Sequence, residues 1–216
     1  MLNRSARLPM LGVTVRRRHR YPTGWVLPSS RMMAADPPGA AGPLSTRPVL
    51  FVDVDGVISL FGFSPSAGAA PGPLHWIDGV AHCIPAEAGE RLVRLSERFE
   101  LVWATGWEHR ANDHLPSILR LPCSLPCLTF DGRAVFGSSY WKLDAITAYA
   151  GERPAAWIDD NLGDACQLWA ANRTAPTLLV PTDAPVGMTD EHVEQLLAWA
   201  DELAPARRRA GRTEAA

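Results

Sequence analysis

Two carboxylates, Asp53 and Asp55, stand one residue apart at the end of the apolar run PVLFVDV (48–54). Along a strand, residues i and i+2 face the same way. Like charges on one face repel unless a cation or a shared proton lies between them. A second acid pair, Asp159 and Asp160, closes the run PAAWIDD (154–160), and Thr105 closes ELVWAT (100–105). Four carboxylates converging at one rim demand a counter-ion. Oxygen ligands select a hard cation, and Mg²⁺ takes one or two carboxylates while leaving positions for water and phosphate oxygens. Magnesium is therefore the expected ion. Zinc prefers imidazole or thiolate, and the adjacent His82/Cys83 and the lone pair Cys123-x3-Cys127 are poor sets for it.

The same residue types can move a phosphoryl group. One carboxylate can attack phosphorus and form an acyl phosphate. A carboxyl two residues on is placed to protonate the leaving oxygen and then to activate water. Thr105 can hydrogen-bond the transferring group, and Gly106 lets backbone approach it closely. Lys142 is the only lysine in a chain with 21 Lys and Arg. A compact ammonium does a different job from a guanidinium fork, and neutralising a developing phosphoryl charge is such a job.

These residues need elements to hold them. The runs 48–54, 100–105, 154–160 and 176–181 are short and apolar, the pattern of strands covered on both faces. Between them, 86–99, 108–121, 138–151, 163–173 and 189–203 read as helices. Gly151 is placed to cap the third, and Thr189 to open the last. Pro116 is tolerated only near a turn or kink. Strands alternating with helices predict an α/β fold with a parallel sheet and right-handed crossovers. Chemistry then gathers at the carboxyl ends of the strands, where Asp53, Asp55, Thr105, Asp159 and Asp160 fall.

Composition sets the outer bounds. The 216 residues suffice for one domain of ordinary size with a tail or two. A formal charge of −2 argues neither for nor against a nucleic-acid partner. No apolar run approaches the roughly 18 residues of a membrane span, so no membrane partner is expected. The four cysteines read as reduced thiols of a cytoplasmic protein, because a core of this size needs no disulfides. Residues 1–46 carry seven arginines before the first acid at Asp36, with Pro and Gly but no sustained period. They read as a disordered arm; a transit segment or a start at Met32 or Met33 are the alternatives. The expected domain covers 47–204, and 205–216 reads as a flexible basic tail.

The motifs, in order, resemble those of the haloacid dehalogenase-like (HAD) superfamily of phosphohydrolases. DVDGV (53–57) is similar to its first motif, WATGW (103–107) to its second, Lys142 in YWKLD to its third and WIDDNLGD (157–164) to its fourth. The stretch is also similar to the HAD modules of bacterial RNA-repair proteins, through ATGWEHRAN and WKLDAI…WIDD. The resemblance implies a Rossmann-like parallel sheet flanked by helices and a Mg²⁺-dependent phosphatase working through an aspartyl-phosphate. It implies Asp53 as nucleophile and metal ligand, and Asp55 as general acid/base, bound to the metal by its backbone carbonyl. Thr105 and Lys142 would hold the phosphoryl group with Gly106. Asp160 would complete the metal shell with Asp159 beside it; which of Asp159, Asp160 and Asp164 ligates stays open. Members often carry a cap domain, but here the segment 56–85 has room only for a flap or hairpin, so minimal or no cap is expected. An open site suits a bulky phosphorylated substrate, a nucleic-acid end included, with a small phosphoester as the alternative.

Each residue also has a plainer reading. Asp-Gly at 55–56 is a turn signal, Asp159 and Asp160 can cap a helix, and Lys142 can be a solvated helix residue. The tryptophans flanking the motifs suit core packing, with Trp76 and Trp107 the two that can stack on a base. His109 and His114 read as surface residues. The arginine clusters at 16–20 and 207–212 read as solvated, with phosphate contacts as the alternative. The plain functional counterpart is a phosphate-binding module of the same fold without turnover.

Overall fold

The computed structural model describes residues 47–63, 70–130 and 138–213, with side chains through Leu203. The expected arm at 1–46 lies outside the described residues, as do the side chains of the basic tail.

Strand β1 (Val49–Val52) is apolar and buried at every position, as a strand covered on both faces must be. It is central. β4 (Glu100–Trp103) pairs with it on one side and β5 (Ala155–Asp159) on the other, with β6 (Thr177–Pro181) beyond β5, all parallel. The chain thus crosses to one side of β1 and then to the other. At such a switch point a crevice opens outside the carboxyl ends of the strands.

Strand alternation sends successive residues into two layers. Leu50, Val52, Leu101, Trp103, Ala156 and Ile158 pack in one core with helices α1 (Glu87–Ser96), α2 (Ala111–Leu119) and α5 (Asp190–Thr213). Val49, Phe51, Val102 and Trp157 pack in the other with α3 (Leu143–Ala150) and α4 (Asp164–Asn172). The architecture is the Rossmann-like α/β sandwich expected from the sequence.

The flap expected within 56–85 is an antiparallel hairpin, β2 (Leu74–Ile77) and β3 (Val80–Cys83). Its turn is Asp78-Gly79 with φ of 50° and 80°, the positive pair that a tight hairpin requires. Leu60 N–H donates to Cys83 O at 2.8 Å and ties the hairpin to the segment after β1.

Several boundaries differ from the periodicity. β1 stops at Val52 and β4 at Trp103, so Asp53 and Thr105 stand in the turns just beyond. The helical stretch 108–121 begins as a 3-10 turn, Glu108–Arg110, and Pro116 sits inside α2 near its end, where Arg120 turns left-handed at φ 54°. The stretch 138–151 likewise begins as a 3-10 turn, Tyr140–Lys142. α5 continues to Thr213, past the end at 203 read from the sequence. The four cysteines are free thiols. Among the described residues no helix is long and apolar enough to cross a membrane.

Candidate active site

Three adjacent strand ends supply the site. Asp53 follows β1, Thr105 follows β4 on one flank, and Asp159 is the last residue of β5 on the other. Asp53, Asp159 and Asp160 each bring a carboxylate oxygen to within 4.8 Å of the others. Among the described residues this is the one grouping of three or more acids, histidines or cysteines so close together.

Lys142 enters from the turn that starts α3 and is 2% exposed, which excludes the solvated-helix reading. Its Nζ donates to Asp159 Oδ2 at 2.7 Å and stands 2.9 Å from Asp53 Oδ2. Asp159 is fully buried, and its other oxygen accepts from the Ser139 hydroxyl and from the Asn161 N–H at 2.9 Å. Its hydrogen-bonding capacity is largely used inside the protein. Asp160 is half-buried and accepts from the Asn161 side chain at 2.8 Å, which leaves it the freer ligand of the pair. Asp53 Oδ1 accepts from Val54 N–H at 2.8 Å.

Gly56 shapes the ligand set. Its φ is 76°, and a Cβ there would lie 2.5 Å from the Asp160 carboxyl carbon. Only a residue without a side chain lets the loop after β1 pass so close to that carboxylate. The Thr182 hydroxyl donates to Gly56 O at 2.9 Å and fixes the loop from the end of β6.

Not every expected residue joins the cluster. Asp55 does not share a face with Asp53, because β1 has already ended and the chain is turning into Gly56. Its carboxylate accepts instead from the Trp107 indole N–H at 2.9 Å. Three of the four expected side chains converge, and the metal role expected of Asp55 concerns its backbone carbonyl. Asp164 opens α4 and is not in the grouping. Thr105 is buried beside the cluster, its Oγ accepting from Trp107 N–H at 3.3 Å, and Gly106 next to it is exposed. His82 and Cys83 make protein contacts, with Ser59 Oγ and Gly72 O, so they form no zinc set. His109 is exposed, and His114 lies 3.9 Å from Asp78, as surface residues do.

The electrostatics are unbalanced. Three carboxylates face one ammonium, leaving two formal negative charges where water is scarce. Burial pushes the Asp53 carboxyl up to about 7, with Asp159 adding to the rise and Lys142 opposing it. Burial disfavours the charged form of Lys142, yet Asp53 and Asp159 together hold its pKa above the usual lysine range. Burial and the neighbouring Asp159 raise Asp160 too. An all-oxygen donor set carrying two uncompensated charges fits a hard divalent cation, and it fits zinc poorly.

A cleft of about 200 Å³ opens between the hairpin and the turn after β4. Ile77, Val80 and His82 line it from the hairpin, and Gly106, Trp107 and Arg110 from the other wall. A larger hollow, about 620 Å³ between Pro85, Glu90 and Arg120, is lined by none of the site acids; the smaller cleft meets the site through Trp107, whose indole N–H reaches Asp55.

Ser139, Asn161 and Trp107 are site residues that sequence reasoning did not single out for these roles. Ser139 carries no spacing signal, since its partner Asp159 lies 20 residues away, while Asn161 N–H bonds Asp159 two residues back, a local turn contact that side-chain spacing does not mark. Trp107 adjoins a motif residue, but nothing in the spacing tells an indole that donates to Asp55 from one that fills the core.

The sequence model for a family described as the HAD domain in Swiss Army Knife RNA repair proteins matches residues 49–193, from the start of β1 into α5. No curated protein matches the chain.

Proposed function

The chain belongs to the HAD domain family of Swiss Army Knife RNA repair proteins, and on that footing we propose that it is a Mg²⁺-dependent phosphomonoesterase acting through an aspartyl-phosphate. One observation carries the reading: Asp53 lies at the switch point of the sheet, within 4.8 Å of the oxygens of Asp159 and Asp160, with Lys142 beside it.

Asp53 and Asp160 would hold the ion, whose charge offsets that of the transferred group when bound. Asp53 supplies the nucleophilic oxygen, which forms a bond to phosphorus. The bond from phosphorus to the leaving oxygen breaks, its electron pair stays on that oxygen, and Asp55 delivers the proton. In the second step the Asp55 carboxylate takes a proton from water as the water oxygen attacks phosphorus, releasing phosphate and restoring Asp53. Thr105 and Lys142 hold the phosphoryl oxygens, and Gly106 leaves room for them. Asp159 orients Lys142 through its 2.7 Å bond.

The segment 56–85 carries a two-stranded hairpin and no cap domain among the described residues, and the family description concerns RNA repair. Both favour a bulky substrate of the nucleic-acid-end class. The test is phosphate release from 4-nitrophenyl phosphate with Mg²⁺ and with a chelator, for the parent and for Asp53→Asn. The parent is expected to turn over only with the metal. Asp53→Asn is expected to lose on the order of 10⁴-fold or more, as nucleophile removal does elsewhere, while keeping its circular dichroism. An Asp53→Asn protein as fast as the parent refutes the mechanism. Stabilisation by Mg²⁺ with beryllofluoride, and turnover on no phosphoester, assigns a phosphate-binding module instead. Faster release from 3′- or 5′-phosphorylated oligonucleotides than from free nucleotides identifies the substrate class.

A further inference from the structure

Trp107 joins Thr105 of the second motif to Asp55, the acid of the first. Its backbone N–H reaches Thr105 Oγ at 3.3 Å and its indole N–H reaches Asp55 Oδ2 at 2.9 Å. The ring is held in turn. His82, on β3 of the hairpin, meets it edge to face with ring centres 4.7 Å apart, and His82 Nδ1 is 2.9 Å from Ser59 Oγ. Ser59 lies in the turn after Asp55 and pairs with it as an isolated bridge. The contacts therefore close a loop from Asp55 through Trp107, His82 and Ser59 back to the segment that carries Asp55.

From this geometry we infer that Trp107 is a positioning residue for Asp55, and that the hairpin holds Trp107 in place through His82. The inference rests on the reading of Asp55 as general acid/base. The physical reason is orientational. Asp55 lies past the end of β1, so no strand fixes its side chain. A single directed N–H can hold one carboxylate oxygen and leave the other to meet the leaving-group oxygen. Ring packing alone does not set that angle; an indole nitrogen does. Trp107 also walls the cleft between the hairpin and the turn after β4, so a leaving group seated there would lie against the ring that aims Asp55.

The test compares kcat/KM on two aryl phosphates under saturating Mg²⁺. 4-Nitrophenolate departs readily without a proton, whereas unsubstituted phenolate needs one. Trp107→Phe keeps a ring and removes the N–H. It is expected to lower kcat/KM about 100-fold on phenyl phosphate and about 10-fold or less on 4-nitrophenyl phosphate, the pattern of a misaimed proton donor. His82→Ala should shift the ratio the same way by a smaller factor. Equal losses on both substrates for Trp107→Phe overturn the inference, and an unchanged ratio for His82→Ala removes the hairpin from it. Asp55→Asn separates the two levels. If it fails to steepen the leaving-group dependence, the acid/base reading falls and this inference with it. If it steepens and Trp107→Phe does not, only this inference falls. A readout without a Trp107 variant is the indole ¹H–¹⁵N resonance of Trp107, assigned through bonds. It should move upfield and exchange faster with solvent in Asp55→Ala; an unmoved resonance refutes the contact.

Discussion

The two rims of the sheet each set basic side chains against acids, and they do it differently. At the amino rim, Arg153 donates to Glu100 at 2.6 Å, Tyr149 donates to the other Glu100 oxygen at 2.6 Å, and Arg173 donates to the Arg153 carbonyl at 2.7 Å. Arg47 donates to the carbonyls of Ser96 and Phe99 there. The groups are partly solvated, and each acid has its partners. Burial would raise Glu100, but the bonds from Tyr149 and Arg153 more than offset it and its pKa lies below the usual range. At the carboxyl rim a single lysine faces three acids, and the Asp53 carboxyl rises to about 7. At the amino rim Glu100 has its charge met by Arg153, and the other guanidinium groups bond backbone carbonyls, while at the carboxyl rim carboxylate charge is left over for an incoming ion. A carboxylate network is structural when its charges are met within the protein and functional when they are not.

Substitutions at the two rims break or sharpen that contrast. Lys142→Met is expected to lower phosphatase activity on the order of 10²- to 10³-fold, as loss of a directed charge on the transferred group does. Arg153→Met should leave kcat/KM within about twofold, since a partly solvated pair contributes about 1 kcal/mol or less to stability. Comparable activity losses in the two variants would erase the distinction.

Gly56→Ala sits at the next level. A Cβ 2.5 Å from the Asp160 carboxyl carbon, at φ 76°, forces the loop or the ligand to move. Strain at such a position is about 1–3 kcal/mol. Weaker stabilisation by Mg²⁺ than in the parent, read by thermal melts with and without the ion, is the expected result. An unchanged Mg²⁺ response would show that Asp160 does not hold the metal.

A pH series follows from Asp53. Its folded pKa, about 7, lies above the usual value of 3.8. Its contribution to the stability of the metal-free protein is therefore full below pH 3.8 and fades as pH rises through about 7. The ion competes with that proton. The rise in melting temperature on adding Mg²⁺ should be larger at about pH 8 than at about pH 6; the opposite order would contradict the unbalanced rim.

The smallest effect belongs to the amino rim. Burial and the bond to Glu100 push Tyr149 up to about 12. In an ultraviolet titration of the chain's three tyrosines, one phenol should ionise last, and Glu100→Gln should bring it down. If Glu100→Gln leaves that titration unchanged, the network is not as tightly joined as its distances imply.

Much of this was legible in the residues. Val49 to Val52 are apolar and doubly buried, so a central parallel strand was written in composition alone. Asp53, Thr105 and Asp159 followed from the rule that strand ends face one rim, and burial of the lone lysine agreed with its singularity. Asp55 was not legible, because the expectation extended strand alternation past Val52, where the chain had begun to turn. The strands of the hairpin were not marked either. LHWI and VAHC are half-exposed, with Trp76 75% exposed, so they lack a clean alternating pattern, and only the room between the first two motifs pointed to a flap or hairpin there. The hydrogen bonds from Ser139 and Trp107 join residues far apart in the chain, which local pattern does not encode.

The placement of β1 also bears on how the chain is made. Among the described strands, synthesis delivers this one first, yet its two neighbours in the sheet are segments that emerge much later, from Glu100 and from Ala155. One edge of these four apolar residues can pair once β4 emerges, and the other stays open until Ile158 has left the tunnel. Pairings so distant in sequence make for slow acquisition of structure and a long interval of stickiness. Truncations that stop short of β5 are therefore expected to precipitate rather than fold, read as the soluble fraction after expression.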